Sequence, residues 1–248
     1  MIITVKNTFI QFFLIFGVVG IAGFALTLLS RWTNNVFRQF AWPELGTYLF
    51  GWIGVPVHEF CHAFFCAVFL HRIQKVKWFD PKGKGGAQGS VTHSYHPWNL
   101  YHRVGHFFIG LGPIILAPLL LAAVAHFLVP ATPYWSRANL SSPGFWVFVY
   151  LAMCVSSQIE LSREDLNQAA TGLLPVILVL FLGILTGWCF DFSGHAIVIG
   201  VAVTIVKSSS EIYTLAVGLS AVNLVACTLL LGLANRVTGR EFVNPFRT

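Results

Sequence analysis

The sequence of 248 residues is 56% hydrophobic and only 10% charged, with a formal net charge of +6. A soluble domain carries about 25% charged residues, so this composition excludes an ordinary soluble enzyme and predicts an integral membrane protein. The positive charge is modest and clusters in one loop, which is typical of a membrane orientation signal and gives no indication of nucleic-acid binding. The five cysteines lie in or beside apolar runs without paired spacing, and we expect buried thiols rather than disulfides.

Six apolar runs predict membrane-spanning helices. The first has about 21 residues, more than a signal-peptide core of about 7–15, so a retained anchor is favoured over a cleaved leader. The fourth is short for a crossing. The apolar segment 193–206 is too short for a span of its own, and it fits a re-entrant piece, an interfacial piece or an extension of the last helix. The predicted spans are 9–29, 47–70, 104–129, 144–158, 170–190 and 211–234.

The predicted fold is an all-α polytopic membrane protein in which residues 1–248 form one transmembrane domain. With six spans, the basic loop 71–103, the basic tail and the N-terminus fall on one side, which the positive-inside rule makes cytoplasmic. We expect the cytoplasmic membrane of a bacterium. The basic residues on the cytoplasmic side are Arg72, Lys75, Lys77, Lys82, Lys84, Arg103, Arg236, Arg240 and Arg247, and those on the opposite side are Arg31, Arg38 and Arg137.

The second predicted span contains the motif His58-Glu59-Phe60-Cys61-His62. Two histidines four residues apart lie on one face of a helix and can offer two imidazole nitrogens to a single zinc ion. Glu59 lies farther round the helix, so its carboxylate is placed beside the metal, where it can take a proton from water. The sequence therefore proposes His58 and His62 as metal ligands and Glu59 as the catalytic base.

The motif lies within the predicted hydrocarbon layer. An ionised side chain at the centre of a span costs about 2.5–3.5 kcal/mol, so such residues usually mark a function. Water must reach the motif through a cavity, and Pro56 weakens the helix where one could open. The alternative is a buried polar patch in which the three side chains only hydrogen-bond to neighbouring helices.

The loop after this span predicts a β-hairpin. Segments 75–79 and 89–95 alternate as short strands do, and 80–86 between them is rich in turn residues. We expect the hairpin at the membrane surface, on the side of the active site, where its exposed edge could hold an unwound peptide as an added strand. The alternative is a solvated loop whose charges only fix the topology.

A catalytic zinc site normally has three protein ligands, so a third is needed. The loop before the fifth span contains three carboxylates, and Asp165 is the preferred ligand, with Glu160 second. Ser162-x-x-Asp165 is also typical of a helix-capping box, which would explain the aspartate without a metal. Asp191 and His195 rank lower because the predicted topology places them toward the opposite side.

With these features the chain resembles a minimal member of the site-two protease family of intramembrane zinc metalloproteases. The resemblance covers roughly residues 50–175: the histidine motif, the strand-like segment with Gly89, the Gly110-Leu-Gly-Pro113 turn and an acidic residue heading a later span. It implies that the histidine pair and Asp165 bind one Zn²⁺, that Glu59 activates water, and that the substrate is the transmembrane segment of another membrane protein. The family's Asn-Pro-x-x-Asp-Gly setting is absent, and no accessory domain is visible.

Two other classes fit part of the pattern. His93-x-x-His96 and His102-x-x-x-His106 partly resemble the histidine boxes of membrane di-iron hydroxylases and desaturases, although no adjacent His-His pair is present. The simpler interpretation places the first three in an interfacial loop and His106 as a buried group lining the cavity. A non-catalytic transporter or scaffold would use the motif as an ion or proton site.

Overall fold

The computed structural model describes residues 2–39, 47–81, 88–129, 136–189 and 195–239. Within them the fold is mostly helical, with one small antiparallel sheet of two strands, so the predicted combination of helices and a hairpin is confirmed. The elements in chain order are α1 (Ile2–Phe37), a π-helical turn (Thr47–Gly51), α2 (Trp52–Val68), β1 (Arg72–Lys77), β2 (Ser90–Ser94), α3 (Leu100–Gly110), α4 (Gly112–Leu128), α5 (Arg137–Leu140), α6 (Pro143–Ser156), α7 (Arg163–Cys189) and α8 (His195–Thr238).

Within the part of the chain that the structure describes, fewer helices are both long and apolar enough to cross a bilayer than the sequence predicts. Among the described residues, Tyr213–Val237 of α8 is long and apolar enough to cross a bilayer. The pair α3–α4 would be a second such element if it forms one span, although it is bent by 63°. Helix α6 has 14 residues, fewer than the roughly 20 that a crossing needs. The structure supports membrane association, and six crossings stay a prediction.

The predicted span 104–129 is wrong as a single helix, because the chain breaks at Leu111 between α3 and α4. The physical reason is Pro113, which has no N–H to continue the helical hydrogen bonds. The predicted 170–190 begins earlier, at Arg163, because Ser162 caps the helix there. The segment 193–206 adopts one of its three anticipated forms, since from His195 onward it is a continuous extension of α8.

Helices α1 and α8 pack side by side and run in the same direction. A Cβ atom at Gly23 would touch the Ile114 side chain, and the Tyr213 hydroxyl donates to the Ile114 carbonyl at 3.0 Å. Farther along, Val36 of α1 and Leu231 of α8 share a buried apolar cluster. The start of α1 and the end of α8 therefore lie at opposite ends of the pair, which disagrees with the predicted placement of both termini on one side.

The predicted sidedness also fails near the end of α1. Arg31, placed opposite the loop before α7, instead forms an ion pair with Glu160 at 3.0 Å. The prediction treated every apolar run as a full crossing, but α6 is about 21 Å long at 1.5 Å per residue, shorter than the roughly 30 Å hydrocarbon layer. Lys82, Lys84, Arg240 and Arg247 lie outside the described residues.

The hairpin forms where the sequence places it, with bounds shifted by a few residues. Its strands pair from Arg72 opposite Ser94 to Lys77 opposite Ser90, with a bulge between Ile73 and Lys75. The hairpin packs alongside α2, and its position at the membrane surface stays a prediction. The Gln88 side-chain amide donates to the Thr47 hydroxyl at 2.7 Å, near the start of the helix. Most of the predicted turn, 82–87, lies outside the described residues.

Candidate metal centre

His58 and His62 point their Nε2 atoms at each other across 3.1 Å. The Nδ1 atom of His58 lies 2.7 Å from the Gln158 carbonyl oxygen, and that of His62 lies 2.7 Å from the Ile109 carbonyl oxygen. A carbonyl oxygen can only accept, so each Nδ1 carries the proton and donates. In the neutral rings both Nε2 atoms then present lone pairs, which repel unless a cation lies between them. This is the tautomer that metal-binding histidines adopt.

The Ile109 carbonyl is free to accept this hydrogen bond for a reason visible in the sequence. In a continuous helix it would accept from the N–H of residue 113, but Pro113 has none. Pro118 frees the Ile114 carbonyl in the same way, and that carbonyl accepts from the Tyr213 hydroxyl. The Gly110–Pro113 turn thus supplies an acceptor that orients His62.

Asp165 is positioned for both of the roles that the sequence offered as alternatives. Its Oδ2 accepts from the Ser162 N–H at 2.8 Å, and its own N–H donates to the Ser162 hydroxyl at 3.1 Å, which is a capping box at the start of α7. Its Oδ1 lies 3.4 Å from Nε2 of His62, and its Oδ2 lies 4.0 Å from Nε2 of His58. Capping therefore holds the carboxylate against the histidine pair.

His58, His62 and Asp165 each offer one ligand atom, and these atoms lie within 4.8 Å of one another. Two imidazole nitrogens and one carboxylate oxygen are the donor set of a catalytic zinc site with an open fourth position. The oriented tautomers and the charge of the carboxylate suit a divalent cation. The residues that the sequence proposed as ligands are thus brought together and fit such a metal.

Glu59 adjoins this group and is 7% exposed. The hairpin covers it, since a Cβ atom at Gly89 would lie 2.6 Å from Glu59 Oε1. A larger residue at position 89 would force the Glu59 carboxylate or the hairpin to move, so glycine is needed at this contact. Glu59 also lines a cavity of about 660 Å³ with both motif histidines and Asp165. The cavity therefore gives water access to the Glu59 carboxylate and to the three candidate ligand atoms together.

The other proposed ligands lie elsewhere. Glu160 lines the same cavity, but its carboxylate pairs with Arg31 and accepts from the Asn34 amide at 3.4 Å. Asp191 lies outside the described residues, and so does the side chain of His195. Cys61, which lies between the two motif histidines in the sequence, is buried in an apolar cluster with Leu26 and Ile114 among others.

The remaining histidines are only partly where the sequence placed them. His96 is exposed between β2 and α3, as expected of a loop residue. His102 is not in a loop, because α3 begins at Leu100 and buries it to 8% exposure. Burial lowers the pKa of His93 to about 4 and also lowers the pKa of His71, so both rings are neutral at pH 7.

Several contributors were not found from the sequence. The carbonyls of Gln158 and Ile109 orient the ligands, but backbone acceptors leave no residue signature apart from Pro113. His71 was overlooked because it has no metal-binding partner at helical spacing. Gln168, three residues after Asp165, could have been noticed, since on a helix it shares a face with that ligand.

No known protein family, curated protein or solved structure matches the chain. Any conclusion about function therefore depends on the geometry of the site and on general chemistry.

Proposed function

We propose that this protein is an intramembrane zinc metalloprotease, which hydrolyses a peptide bond in or near the transmembrane segment of another membrane protein. The observation that carries the proposal is the pair of facing Nε2 lone pairs of His58 and His62, with the Asp165 carboxylate 3.4 Å from one of them. Glu59 stands beside them as an acid–base group in the same cavity. The proposal agrees with the resemblance to the site-two protease family.

A polytopic arrangement in a bacterial cytoplasmic membrane belongs to the same proposal. It is supported by the composition, in which 56% of residues are hydrophobic and only 10% are charged. It is supported also by exposed apolar side chains along α7, such as Leu174 at 70% and Phe181 at 60% exposure. Apolar patches of that extent on a helix are typical of contact with lipid or a partner.

The proposed reaction is hydrolysis with Glu59 as general base and then general acid. A zinc ion on His58, His62 and Asp165 would supply a Lewis acid and lower the pKa of bound water from 15.7 to about 7. The Glu59 carboxylate accepts one proton from the attacking water as the new C–O bond forms. It then passes that proton to the amide nitrogen as the C–N bond breaks, leaving a carboxylic acid and an amine.

The substrate class follows from the position of the hairpin. Helical backbone hides its carbonyl groups, so a transmembrane segment must unwind before its peptide bond can be cut. Each strand of the hairpin has one edge without a strand partner among the described residues, and Gly89 at the start of β2 touches the base. An unwound segment that pairs with the free edge of β2, beside Gly89, would run directly over Glu59.

The test uses purified protein in lipid nanodiscs, loaded with Zn²⁺ and incubated with a panel of fluorescently tagged single-span membrane proteins. We expect cleavage of at least one panel member, detected by mass spectrometry of the fragments. The Glu59→Gln variant should keep its zinc and lose about 10²–10⁴-fold in rate, the range of general acid–base catalysis. The His58→Ala variant should lose one equivalent of zinc together with activity.

The rival classes give different results in the same preparation. A di-iron hydroxylase would retain iron rather than zinc, and a transporter or scaffold would keep its function without a required metal. Cleavage at the normal rate by the Glu59→Gln protein would show that the assigned base is wrong. Unchanged zinc content in the His58→Ala protein would remove the assigned metal site.

A further inference from the structure

A second group of side chains that can bind a metal lies at the C-terminal end of α2. It consists of Cys66, His71 and His93, whose ligand atoms lie within 4.8 Å of one another. Cys66 is fully buried and carries a free thiol, and His71 is 5% exposed. The Nδ1 atoms of His71 and His93 face each other at 3.1 Å. These three residues take no part in the proposed proteolytic reaction.

The backbone is strained at the point that brings Cys66 and His71 together. Leu70 has φ of +57°, a left-handed conformation that is unfavourable for a residue with a side chain. This turn lets the His71 N–H donate to the Cys66 carbonyl at 2.8 Å and the Leu70 N–H donate to the Ala67 carbonyl at 3.2 Å. Such strain persists where the surrounding structure imposes it, often at functional sites.

The hydrogen bonds of the two rings leave room for a cation. His71 Nε2 lies 2.9 Å from the His102 carbonyl oxygen, so it must donate, and His71 Nδ1 then carries a lone pair. His93 Nε2 lies 2.6 Å from the Gln168 side-chain amide. The side-chain nitrogen of Gln168 faces this atom. When the amide turns by 180°, its oxygen accepts from His93 Nε2, and His93 Nδ1 then presents a second lone pair, as in metal-ligating histidines.

A fourth nitrogen is close by. The His106 ring centre lies 5.3 Å from that of His71 and 5.8 Å from that of His93. Its Nε2 atom is buried and has no hydrogen-bond partner among the described residues. An orphaned buried nitrogen costs free energy unless it binds something.

We propose that Cys66, His71 and His93, with His106 as the fourth ligand, form a second transition-metal site, distinct from the proteolytic one and filled by Zn²⁺. Zinc accepts both cysteine sulfur and histidine nitrogen as ligands, and its structural sites are four-coordinate and tetrahedral. On binding, the Cys66 thiol releases its proton to solvent and the sulfur becomes the ligand. The site ties β2 to the end of α2, and so fixes the hairpin beside Glu59.

Cobalt substitution separates this site from the first, because only this one contains sulfur. The purified full-length protein, stripped of metal and titrated with Co²⁺, should bind two ions per chain and show a thiolate-to-cobalt absorption band in the near ultraviolet. The Cys66→Ser variant should lose the band and one ion. The His58→Ala, His62→Ala double variant should lose one ion and keep the band.

The matched control is Cys227→Ser, which alters a buried cysteine of α8 whose thiol donates a hydrogen bond to the Asn223 side-chain oxygen. It should keep both ions and the band. The titration of the unaltered protein tests the proposal even if the Cys66 variant fails to fold, since one ion per chain without a thiolate band would overturn it. The outcome is independent of proteolysis, because the band can appear in a protein that cuts nothing.

Discussion

Gly89 lies against the carboxylate of Glu59, the proposed base, so closely that a Cβ atom there would be 2.6 Å from Glu59 Oε1 and 2.7 Å from Val55 Cγ1. Substitution Gly89→Ala should push either the hairpin or the carboxylate aside. Misplacing a catalytic group by about 1 Å can cost 10²-fold in rate, and we expect a loss of that order. The measurement is cleavage rate together with zinc content, which should be unchanged because the ligands are not touched.

The control for that substitution is Gly218→Ala in α8, where a Cβ atom would meet nothing within 4 Å. Alanine there should leave the rate unchanged and favour the helix by up to about 1 kcal/mol. Equal rates for the two variants would contradict the proposed role of the hairpin beside Glu59.

Pro113 keeps the Ile109 carbonyl available to His62. The Pro113→Ala variant supplies an N–H that competes for that carbonyl and weakens the orientation of the ring. Loss of such an orienting contact typically lowers metal affinity by about 10–100-fold, and we expect a decrease within this range, measured by competition with a zinc chelator. Pro118→Ala is the matched control, since the carbonyl concerned accepts from Tyr213 instead. Equal zinc affinities in the two variants would exclude this role of Pro113.

The two roles of Asp165 can be separated by substitution. Asp165→Asn retains an oxygen that can accept from the Ser162 N–H but removes the negative charge beside the histidines, so zinc affinity should fall while the melting temperature of the metal-free protein changes little. Ser162→Ala should do the opposite, costing about 1 kcal/mol of stability with zinc retained. A large loss of stability in the Asp165 variant, with zinc unchanged, would leave only the capping role.

The parallel packing of α1 and α8 predicts a specific membrane sidedness. Cysteines introduced at Arg38 and Val237 should be labelled from the same side by a membrane-impermeant maleimide, because both follow the part of each helix that packs in the shared cluster. A cysteine at Leu70, which follows the C-terminal end of α2 and is 71% exposed, should be labelled from the opposite side. Labelling of all three from one side would contradict the observed packing.

The cluster of His58, His62 and Asp165 could be predicted from the sequence because each part of it has a local sequence pattern. Histidines four apart on a helix, and a serine three residues before an aspartate, determine their geometry through helical spacing alone. The hairpin was likewise predicted by alternation and turn residues. The proximity of Asp165 to the two histidines was harder to predict, because no local pattern fixes the distance between helices that lie about a hundred residues apart in the sequence.

The sidedness and the second cluster could not be read in the same way. Charge counting assigns sides only if each apolar run crosses completely, and the break at Leu111 and the short α6 violate that condition. Cys66 and His71 meet through a left-handed leucine, a conformation that sequence patterns assign to glycine. Their partner His93 reaches them through strand pairing, which depends on register as well as composition.

The two ends of the hairpin are attached differently. At one end, two backbone hydrogen bonds hold the corner at Leu70. At the other end, the contact with the π-helical turn before α2 includes one side-chain hydrogen bond, from the Gln88 amide to the Thr47 hydroxyl. A hairpin held firmly at the Leu70 end and weakly at the Gln88 end would move by pivoting about Leu70. Admission of an unwound chain to Glu59 would then be governed at position 47, about three helical turns before His58 along the chain.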